Sequence, residues 1–440
     1  MADGSVLSLV VHLFPNKKSL ILYKFSYKLG KILFNIRYSK ARGTEVMIDK
    51  PLLGMVVGLL IVSMVMSYSL SVYTVLYFGY DDFHFFARQA LSVLIGFVIM
   101  AVLSKLDPDR WFVPLGMLIF IVSFFALVVM QFLPTFLVNE VGGAKRWIKF
   151  GSFSIAPVEF FKIGFVFFLA WSFSRKLLDR RNMRFLEEMR VFAPYLALFL
   201  VAVVLIAVFQ KDLGQIVVLG ATMMVLFLFV GSSLRFFLTM MLGIFVAFVV
   251  LIFLAPHRIV RIKRWWITVQ DNILSLFPFE SLQRLRVESS VKEPWQISNS
   301  LNAIHNGGFF GQGLGNGQFK LGYLSEVHTD FILAGITEEF GFFGVSLVVL
   351  TILFIIFRIF KIASKVESPM YYLFSIGVGL LIAFAFILNA YGISGIAPIK
   401  GIAVPFLSYG GSHILALSIA IGMVLMISKK VPRGIDGRIL

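Results

Sequence analysis

The chain alternates long apolar runs with short clusters of charged and turn-forming residues. Most runs approach or exceed the roughly 20 residues that an α-helix needs to cross a bilayer. Cutting the sequence at the clusters predicts ten membrane spans, near residues 52–74, 88–105, 111–133, 153–174, 191–209, 213–230, 233–254, 329–360, 370–394 and 405–428. The pattern therefore predicts an all-α integral membrane protein with one large loop, residues 255–328, between the seventh and eighth spans.

The segment from Trp295 to Gly344 concentrates polar residues and glycines before it enters the eighth apolar run. Asp330 stands where this run begins, which is the usual N-cap position of a helix. Glu338 and Glu339 follow inside the run, where carboxylates are costly and a functional role is the default interpretation. Helical spacing places Glu338 on the same side as Asp330 and Glu339 on the opposite side. We expect this segment to carry the chemistry of the protein.

The basic residues predict the orientation of the spans. An even number of spans places both termini on one side, and the short loops on that side are rich in Lys and Arg, as at Lys105, Arg110, residues 175–190, Arg235, residues 358–365 and residues 429–438. Such loops face the cytoplasm, whereas long loops cross the membrane largely regardless of charge. Both termini are therefore predicted to be cytoplasmic, and the basic 255–328 loop extracytoplasmic.

The first 50 residues hold nine Lys or Arg and no run of spanning length. A basic segment of this kind is typical of a helix on an anionic cytoplasmic leaflet. Met47 would also be a natural start directly before the first span, so residues 1–46 could instead be an over-extended reading frame. The predicted organisation is a basic segment over residues 1–50, a membrane domain over 51–430 and a cytoplasmic tail over 431–440.

Composition narrows the function classes. The 440 residues are 59% hydrophobic with a mean hydropathy of +0.91, which excludes a soluble protein. The formal charge of +17 is first a topology signal in such a chain, so we predict no nucleic-acid partner. The absence of cysteine excludes disulfides, thiolate metal sites and cysteine nucleophiles.

Two charged clusters flank the start of the fourth span. Glu159 and Lys162, three residues apart, are either a structural ion pair or contacts for a charged substrate. Arg146, beside Trp147, is either an interfacial anchor or part of a phosphate site. The sequence alone leaves both choices open.

Three further patterns concern the loops. The six glycines from Gly307 to Gly317 are more typical of a hinge than of a pyrophosphate-binding loop, because no nucleotide-binding spacing is present. His305 and His328 lack paired zinc spacing. Arg258, Arg261 and Arg264 recur at intervals of three beside two tryptophans, which predicts a helix at the outer membrane interface.

The run GISGIAPIKGIAVPFLSYGGSHI interrupts apolar sequence with glycine, proline and polar residues. Irregular backbone at membrane depth is tolerated where it is buried in protein or lines a polar cavity. The run, which contains Lys400, Ser408 and Ser412, is therefore predicted to form a cavity wall rather than a simple kink.

Several motifs together resemble one family. GGAKRWI, PVEFFK, QKDLGQ, WQISNSLNAIHNGGFFGQGLGNG, HTDFILAGITEEFG and KGIAVPFLSYGGS occur in the order found in the SEDS family of membrane peptidoglycan polymerases. The resemblance covers about residues 52–430. The run from Gly313 to Glu326 and the Lys400–Gly401 pair resemble the division branch of the family more than the elongation branch. Lys211 departs from the proline usual at its position.

The resemblance implies polymerisation of lipid II for septal peptidoglycan, with release of undecaprenyl pyrophosphate. Asp330 matches the proton-accepting aspartate of the family. Arg146, Lys162, Arg258 and Arg261, or a divalent cation such as Mg²⁺ or Mn²⁺ held by carboxylates, would hold the pyrophosphate. The remaining residues expected to contact substrate are Glu159, Glu338, Lys400, Ser408 and Ser412.

The same resemblance implies a location and partners: the bacterial cytoplasmic membrane at the division septum, a cognate class B penicillin-binding transpeptidase and other division proteins of the membrane. The alternatives are an elongation-type polymerase, a lipid II flippase centred on Glu159, Lys162 and Glu338, and a non-catalytic division scaffold. Fold alone does not separate these functions.

Overall fold

The computed structural model describes residues 48–432 apart from 142, 152, 177–183, 277–285, 287–294 and 399–400. The predicted N-terminal segment, the C-terminal tail beyond residue 432 and Lys400 lie outside the described residues. The described helices, in chain order, are α1 Lys50–Leu70, α2 Val72–Phe78, α3 His84–Lys105, α4 Pro108–Phe132, α5 Pro157–Lys176, α6 Phe185–Val203, α7 Leu213–Val230, α8 Leu234–Phe253, α9 Pro256–Leu276, α10 Trp295–Gly307, α11 Ile332–Ala363, α12 Pro369–Ile393 and α13 Gly411–Ser428. A π-helical turn, Val204–Phe209, extends α6.

Ten of these helices are long and apolar enough to cross a membrane, which confirms the predicted number of spans. They are α1, α3, α4, α5, α6 with its π turn, α7, α8, α11, α12 and α13. The large loop falls between the seventh and eighth of them, as predicted. The basic run starting at residue 256 is helical, as α9.

The spans bury very different amounts of surface. In α5 and α13, 78% of the most apolar 18-residue stretch of the helix is buried inside the protein. In α8 the buried share of the corresponding stretch is 6%. Large apolar side chains of α8 such as Leu242 and Phe245 are exposed, at 63% and 61%. Because exposed apolar surface of a spanning helix faces hydrocarbon, α8 is a peripheral, lipid-facing span and α5 and α13 form the centre of the bundle.

Polar side chains join the helix ends on one face of the bundle. Asp49 caps α1 by accepting a 2.9 Å hydrogen bond from the backbone N–H of Leu52. The same carboxylate forms a 3.0 Å ion pair with Arg358 near the end of α11. The Asp49 N–H donates to Ser428 at the end of α13. This face lies opposite the one where α7 and α11 begin.

A three-stranded antiparallel sheet lies between α4 and α5, where the sequence analysis placed loop and the start of a span. Its strands are β1 Val138–Val141, β2 Ala144–Phe150 and β3 Phe153–Ile155, in the order β1-β2-β3. The fourth span therefore begins at Pro157 rather than at residue 153. The strands β1 and β3 are too short to leave a clear period of two, and β2, with the sequence AKRWIKF, does not alternate apolar and polar residues.

The helix α11 is broken at Gly341, whose φ of 68° is left-handed. The glycine-rich loop fills the break, since Gln312 and Gly313 donate to the carbonyls of Glu338 and Glu339 at 2.9 Å each. A side chain at Gly311 would place Cβ 2.2 Å from the Glu339 carbonyl oxygen. The loop is thus neither a free hinge nor a pyrophosphate loop, but a packed element that satisfies the backbone of a broken span.

Candidate active site

A cavity of about 890 Å³ opens at the end of the bundle where α7 and α11 begin. Its wall is made by β2, the 211–214 turn, α9, the start of α10, the segment before α11 and the C-terminal loop. The polar and charged residues lining it are Arg146, Lys211, Asp212, Arg258, Arg261, Arg264, Gln296, Glu326 and Asp330. Five cationic side chains and three carboxylates share one space, so the cavity favours anions.

Hydrogen bonds to the backbone hold the segment that carries Asp330 in place. Asn389 of α12 donates a 2.7 Å hydrogen bond to the Asp330 carbonyl oxygen. Ser408 donates to the carbonyl of the preceding Thr329 at 2.6 Å. The helix α11 begins only at Ile332 and its cap residue, Phe331, makes no side-chain cap bond. Asp330 is therefore not the predicted N-cap, and its half-buried carboxylate borders the cavity instead of satisfying a helix end.

The surroundings of Asp330 make it a stronger base than an exposed aspartate. Burial, followed by the neighbouring carboxylates of Glu326 and Asp212, raises the pKa of the Asp330 carboxyl to about 6, and the charge of Arg146 opposes this rise. Burial and like charges both disfavour the ionised form. At neutral pH the group is still mostly ionised, and a base is most effective when its pKa lies close to the working pH.

Glu326 approaches Asp330 through a tight turn. Thr329 donates to the Glu326 carbonyl from its N–H at 3.1 Å and from its hydroxyl at 3.0 Å, and the same hydroxyl lies 2.9 Å from Glu326 Oε2. The backbone of Glu326 has a φ of 57°, which is left-handed and costs a non-glycine residue about 1–3 kcal/mol. Strain is therefore stored in the turn that presents a second carboxylate to the cavity.

Two arginines of the cavity are anchored on backbone carbonyls. Arg146 donates from Nε to the Gln210 carbonyl at 2.8 Å. Arg258 donates to the carbonyls of Leu251 and Ala207 at 2.6 Å each. Because a guanidinium has five N–H donors, both arginines keep donors for an anion. These bonds fix their charges at the cavity wall.

The cavity also contains residues that sequence reasoning did not select as site residues. Lys211 and Asp212 come from the QKDLGQ motif, and Glu326 and Arg264 from the long loop. Lys211 has a φ of 53°, which a proline cannot adopt, so a proline would not fit this position of the turn. The signal for Asp212 was its position as a lone carboxylate between two apolar runs.

Glu159 and Lys162 form a 3.0 Å ion pair inside the bundle, with both side chains about 10% exposed. Gln215 bridges them, accepting from Lys162 at 2.7 Å and donating to Glu159 at 3.1 Å. His413 Nδ1 lies 2.8 Å from the Glu159 carboxylate. Neither Glu159 nor Lys162 lines the cavity, so the structural ion pair, rather than the expected substrate contact, describes them.

Glu338 lies away from the cavity wall on which the helical spacing placed it. Its carboxylate accepts hydrogen bonds from the backbone N–H of Gln318 at 2.6 Å, from that of Phe319 at 3.1 Å and from the Asn306 amide at 3.0 Å. The break at Gly341 lets the glycine-rich loop reach this carboxylate. These three donors compensate its burial and leave Glu338 a role in holding the loop.

Glu339 is buried as a pair with Lys320, at 2.7 Å, and accepts a further hydrogen bond from Ser69. Ser408 is fully buried and also accepts from the N–H of Val404 at 2.7 Å. Ser412 accepts from the N–H of Ala156 at 2.9 Å. The two serines position loops around the cavity but are not among the residues that line it.

Among the described residues, the carboxylates form no metal site with three or more side-chain ligands. Asp212, Glu326 and Asp330 line one cavity, yet within the described part of the chain no three His, Cys, Asp or Glu side chains come together as a group that could hold a metal ion. Mg²⁺ is commonly bound by one or two carboxylates together with substrate phosphates, so this lining remains compatible with the divalent cation given as an alternative to the arginines. Gly401 packs close to Asp330, because a Cβ at this glycine would lie 3.0 Å from Asp330 Oδ2.

Comparison with known proteins places the chain among cell-wall proteins. A family model described as a cell cycle protein, covering FtsW, RodA and SpoVE, matches residues 50–432. A Helicobacter pylori (strain ATCC 700392 / 26695) protein named "Probable peptidoglycan glycosyltransferase FtsW" is 48% identical over 372 residues, covering 84% of this chain and 96% of the relative. A protein of the same name from Trichlorobacter lovleyi is 33% identical over 383 residues, covering 86% and 93%.

The fold has solved counterparts. A chain from a peptidoglycan synthase complex, described as coordinating polymerization and crosslinking, superposes with a TM-score of 0.64 at 22% identity and covers 87% of this chain and 97% of its own length. At that identity the likeness concerns the fold alone. The ten-span bundle is thus the architecture expected from the motif order.

Proposed function

Because the chain belongs to the FtsW, RodA and SpoVE family of cell cycle proteins, we propose that it is a peptidoglycan glycosyltransferase that polymerises lipid II for septal peptidoglycan during cell division. The observation that carries the mechanism is the carboxylate of Asp330, which borders a large basic cavity and whose pKa is raised to about 6. A base beside anchored cations is the combination that this transfer needs.

The reaction joins two lipid-linked disaccharides. The 4-hydroxyl of one sugar attacks the anomeric carbon of another, the bond from that carbon to the pyrophosphate oxygen breaks, and Asp330 accepts the hydroxyl proton. Glycosidases commonly need a second carboxyl group to protonate a leaving alcohol. Pyrophosphate leaves as a stable anion, so cations replace that acid.

Arg146, Arg258 and Arg261 are the side chains proposed to bind the pyrophosphate, since all three line the cavity. Anchoring on carbonyls holds the first two in place before substrate arrives, which lowers the reorganisation needed in the transition state. We do not assign Lys162 to this role, because its charge is paired with Glu159 inside the bundle.

The flippase alternative is not supported by the charged residues on which it was centred. It was centred on Glu159, Lys162 and Glu338, and all three make hydrogen bonds or ion pairs within the protein. A mobile substrate would have to displace those partners at a cost of several kcal/mol. The elongation-type polymerase differs in biological role rather than in chemistry.

The protein is a multi-pass membrane protein by its apolar helices and its family. We propose further that both termini are cytoplasmic, that the protein acts at the septum, and that a class B penicillin-binding transpeptidase is its partner. The likeness to a chain of a peptidoglycan synthase complex supports such a partnership. Other division proteins of the membrane are proposed partners on the family resemblance alone.

The test is polymerisation by the purified protein with its cognate class B transpeptidase and lipid II. We expect glycan strands when both proteins are present and the transpeptidase active site is blocked. Mixing the partner with a variant lacking Arg258 and Arg261 should give no strands while the complex still forms. Strand synthesis by the transpeptidase preparation alone would contradict the proposal.

A further inference from the structure

A second, smaller pocket lies next to the catalytic cavity. It has a volume of about 350 Å³ and is open to the outside of the bundle at the last turns of α4 and of the π turn after α6. Its lining residues are Val128, Gln131, Phe132, Glu140, Gly143, Lys145, Leu205 and Phe209. None of these residues has a role in the mechanism above.

The strand β2 and the turn before it separate this pocket from the cavity. Successive side chains of a strand point to opposite faces. Ala144 and Arg146 line the cavity, while Gly143 and Lys145 line the second pocket. At Gly143 the wall is thin, since a Cβ there would lie 2.9 Å from the Nζ of Lys211, which belongs to the cavity.

The segment from Leu205 to Gly214 forms a second shared wall. Leu205 and Phe209 of the π turn face the second pocket, and the residues immediately after, from Lys211 onward, face the cavity. Arg258 stabilises this wall by donating a hydrogen bond to the carbonyl of Ala207 within the π turn. π-helical turns inside α-helices frequently occur at functional sites.

The chemistry of the pocket suits a hydrocarbon chain rather than a charged group. Leu205, Phe209, Phe132 and Val128 make most of its surface apolar, and they stand at the ends of two membrane spans. Lys145 is committed to the carbonyls of Gln131 and Leu133, at 3.1 and 2.7 Å. The lining carries one carboxylate, Glu140, and one ammonium, Lys145, so it has no net charge that would select a phosphate headgroup.

We propose that this pocket binds the phosphate-proximal part of the polyprenyl chain of the lipid-linked sugar whose pyrophosphate occupies the cavity. This rests on the proposed function, because it assigns a second part of the same substrate. The chain leaves the pyrophosphate over the β2 tip, contacts Leu205 and Phe209 and passes into the bilayer. The enzyme thus recognises its substrate by the chain as well as by the sugar.

Photolabelling tests the site without requiring turnover. The probe is a polyprenyl pyrophosphate with a diazirine on its first isoprene units, bound to the full-length protein in vesicles and mapped by peptide mass spectrometry. We expect labels at residues 128–132 and 205–209. Equal labelling of Leu242 and Phe245, which are exposed on α8 outside the pocket, would mean simple partition into lipid and would overturn the proposal.

Kinetics supplies the second test. Leu205→Trp fills the pocket with a large side chain, and Val128→Phe fills it to a smaller extent. Leu242→Trp on lipid-facing α8 is the matched control. With full-length lipid II, the KM of the filled variants should rise at least about tenfold. The loss of even two buried methylenes of the chain already weakens binding by about this factor. With a lipid II analogue in which a methyl ester replaces the whole polyprenyl chain, the KM should stay at the wild-type value.

The outcomes separate this inference from the proposed function. An equal loss of activity on substrates with and without the polyprenyl chain in both filled variants would show that the pocket does not bind the chain. Selective labelling by the probe in a protein that never polymerises lipid II would support the chain-binding pocket and contradict the proposed polymerase function. Polymerisation of lipid II with scattered labelling would support the polymerase function and contradict the chain-binding pocket.

Discussion

Asn389 is bound to the backbone of Asp330 across 59 residues of sequence, its Nδ2 lying 2.7 Å from the Asp330 carbonyl oxygen. The same nitrogen lies 2.7 Å from the carbonyl of Ile402. One asparagine of α12 therefore ties the segment before α11 to the C-terminal loop. The direction of the catalytic carboxylate depends on this buried amide, which the mechanism itself does not use.

Replacing Asn389 with leucine should impair both folding and catalysis. Two carbonyl oxygens lose their donor, and each buried unsatisfied group costs about 1–3 kcal/mol. We expect a lower melting temperature in detergent and a loss of lipid II polymerisation larger than the loss of folded protein. Ser375→Ala on the same helix is the control, because Ser375 is buried but its hydroxyl has no hydrogen-bond partner among the described residues. Equal effects of the two variants would contradict the positioning role.

The pH dependence of polymerisation should report the titration of the Asp330 carboxyl group. A base works only when deprotonated, so kcat/KM should fall as the pH decreases through about 6, the value to which burial, Glu326 and Asp212 raise the pKa of Asp330. Glu326→Gln removes one neighbouring negative charge. The pKa of Asp330 should then decrease and the acid limb of the profile should move to lower pH.

The matched control for Glu326 is Glu367→Gln, an exposed carboxylate in the loop between α11 and α12. It should leave the pH profile in place. The cavity also holds Arg146, Arg258, Arg261, Arg264 and Lys211, whose charges act on Asp330 in both variants. An acid limb that stays at the wild-type position in Glu326→Gln would exclude Glu326 as a neighbour that tunes the base.

The buried pair of Lys320 and Glu339 should matter for stability rather than for chemistry. Glu339→Gln leaves the Lys320 ammonium without its counter-ion at 2.7 Å, a loss of about 3–5 kcal/mol for a pair of this kind. We expect a large fall in folded yield and melting temperature. Replacing both residues with methionine should restore much of the stability, since buried pairs can be exchanged for apolar residues at little cost. A double variant as unstable as Glu339→Gln would contradict this.

The predicted orientation can be measured at Ser325, which is exposed beside the cavity. Because the chain has no cysteine, Ser325→Cys provides a single thiol. It should react with a membrane-impermeant maleimide added to intact spheroplasts. A cysteine at Ser364, exposed at the other end of α11, should react only after lysis. The opposite pattern would reverse the assigned topology.

The spans were predictable because an apolar run of about 20 residues is long enough to cross a bilayer and too apolar for a water-exposed helix. The sheet from Val138 to Ile155 was not, because its strands are short and half exposed. The roles of Glu159 and Glu338 depended on partners far along the chain, His413 and Gln318, which spacing along one helix cannot reveal. The cavity as a whole was partly predictable, since Asp330 came from a motif and the arginines of α9 from their period of three.

Asp330→Asn tests the central claim because it removes the proton acceptor with almost no change in size. The Asp330 side chain caps no helix, since α11 begins at Ile332, so the substitution breaks no helix cap. The backbone bond from Asn389 is retained. Loss of a negative charge next to Arg146 should leave pyrophosphate binding equal or tighter.

General-base catalysis typically contributes about 10² to 10⁴-fold, so the kcat of Asp330→Asn should fall at least about a hundredfold. The KM and the amount of complex with the transpeptidase should stay near wild type. Asp82→Asn, an exposed aspartate before α3, is the matched control and should retain full activity. Wild-type polymerisation by Asp330→Asn would show that another group takes the proton and that Asp330 is not the base.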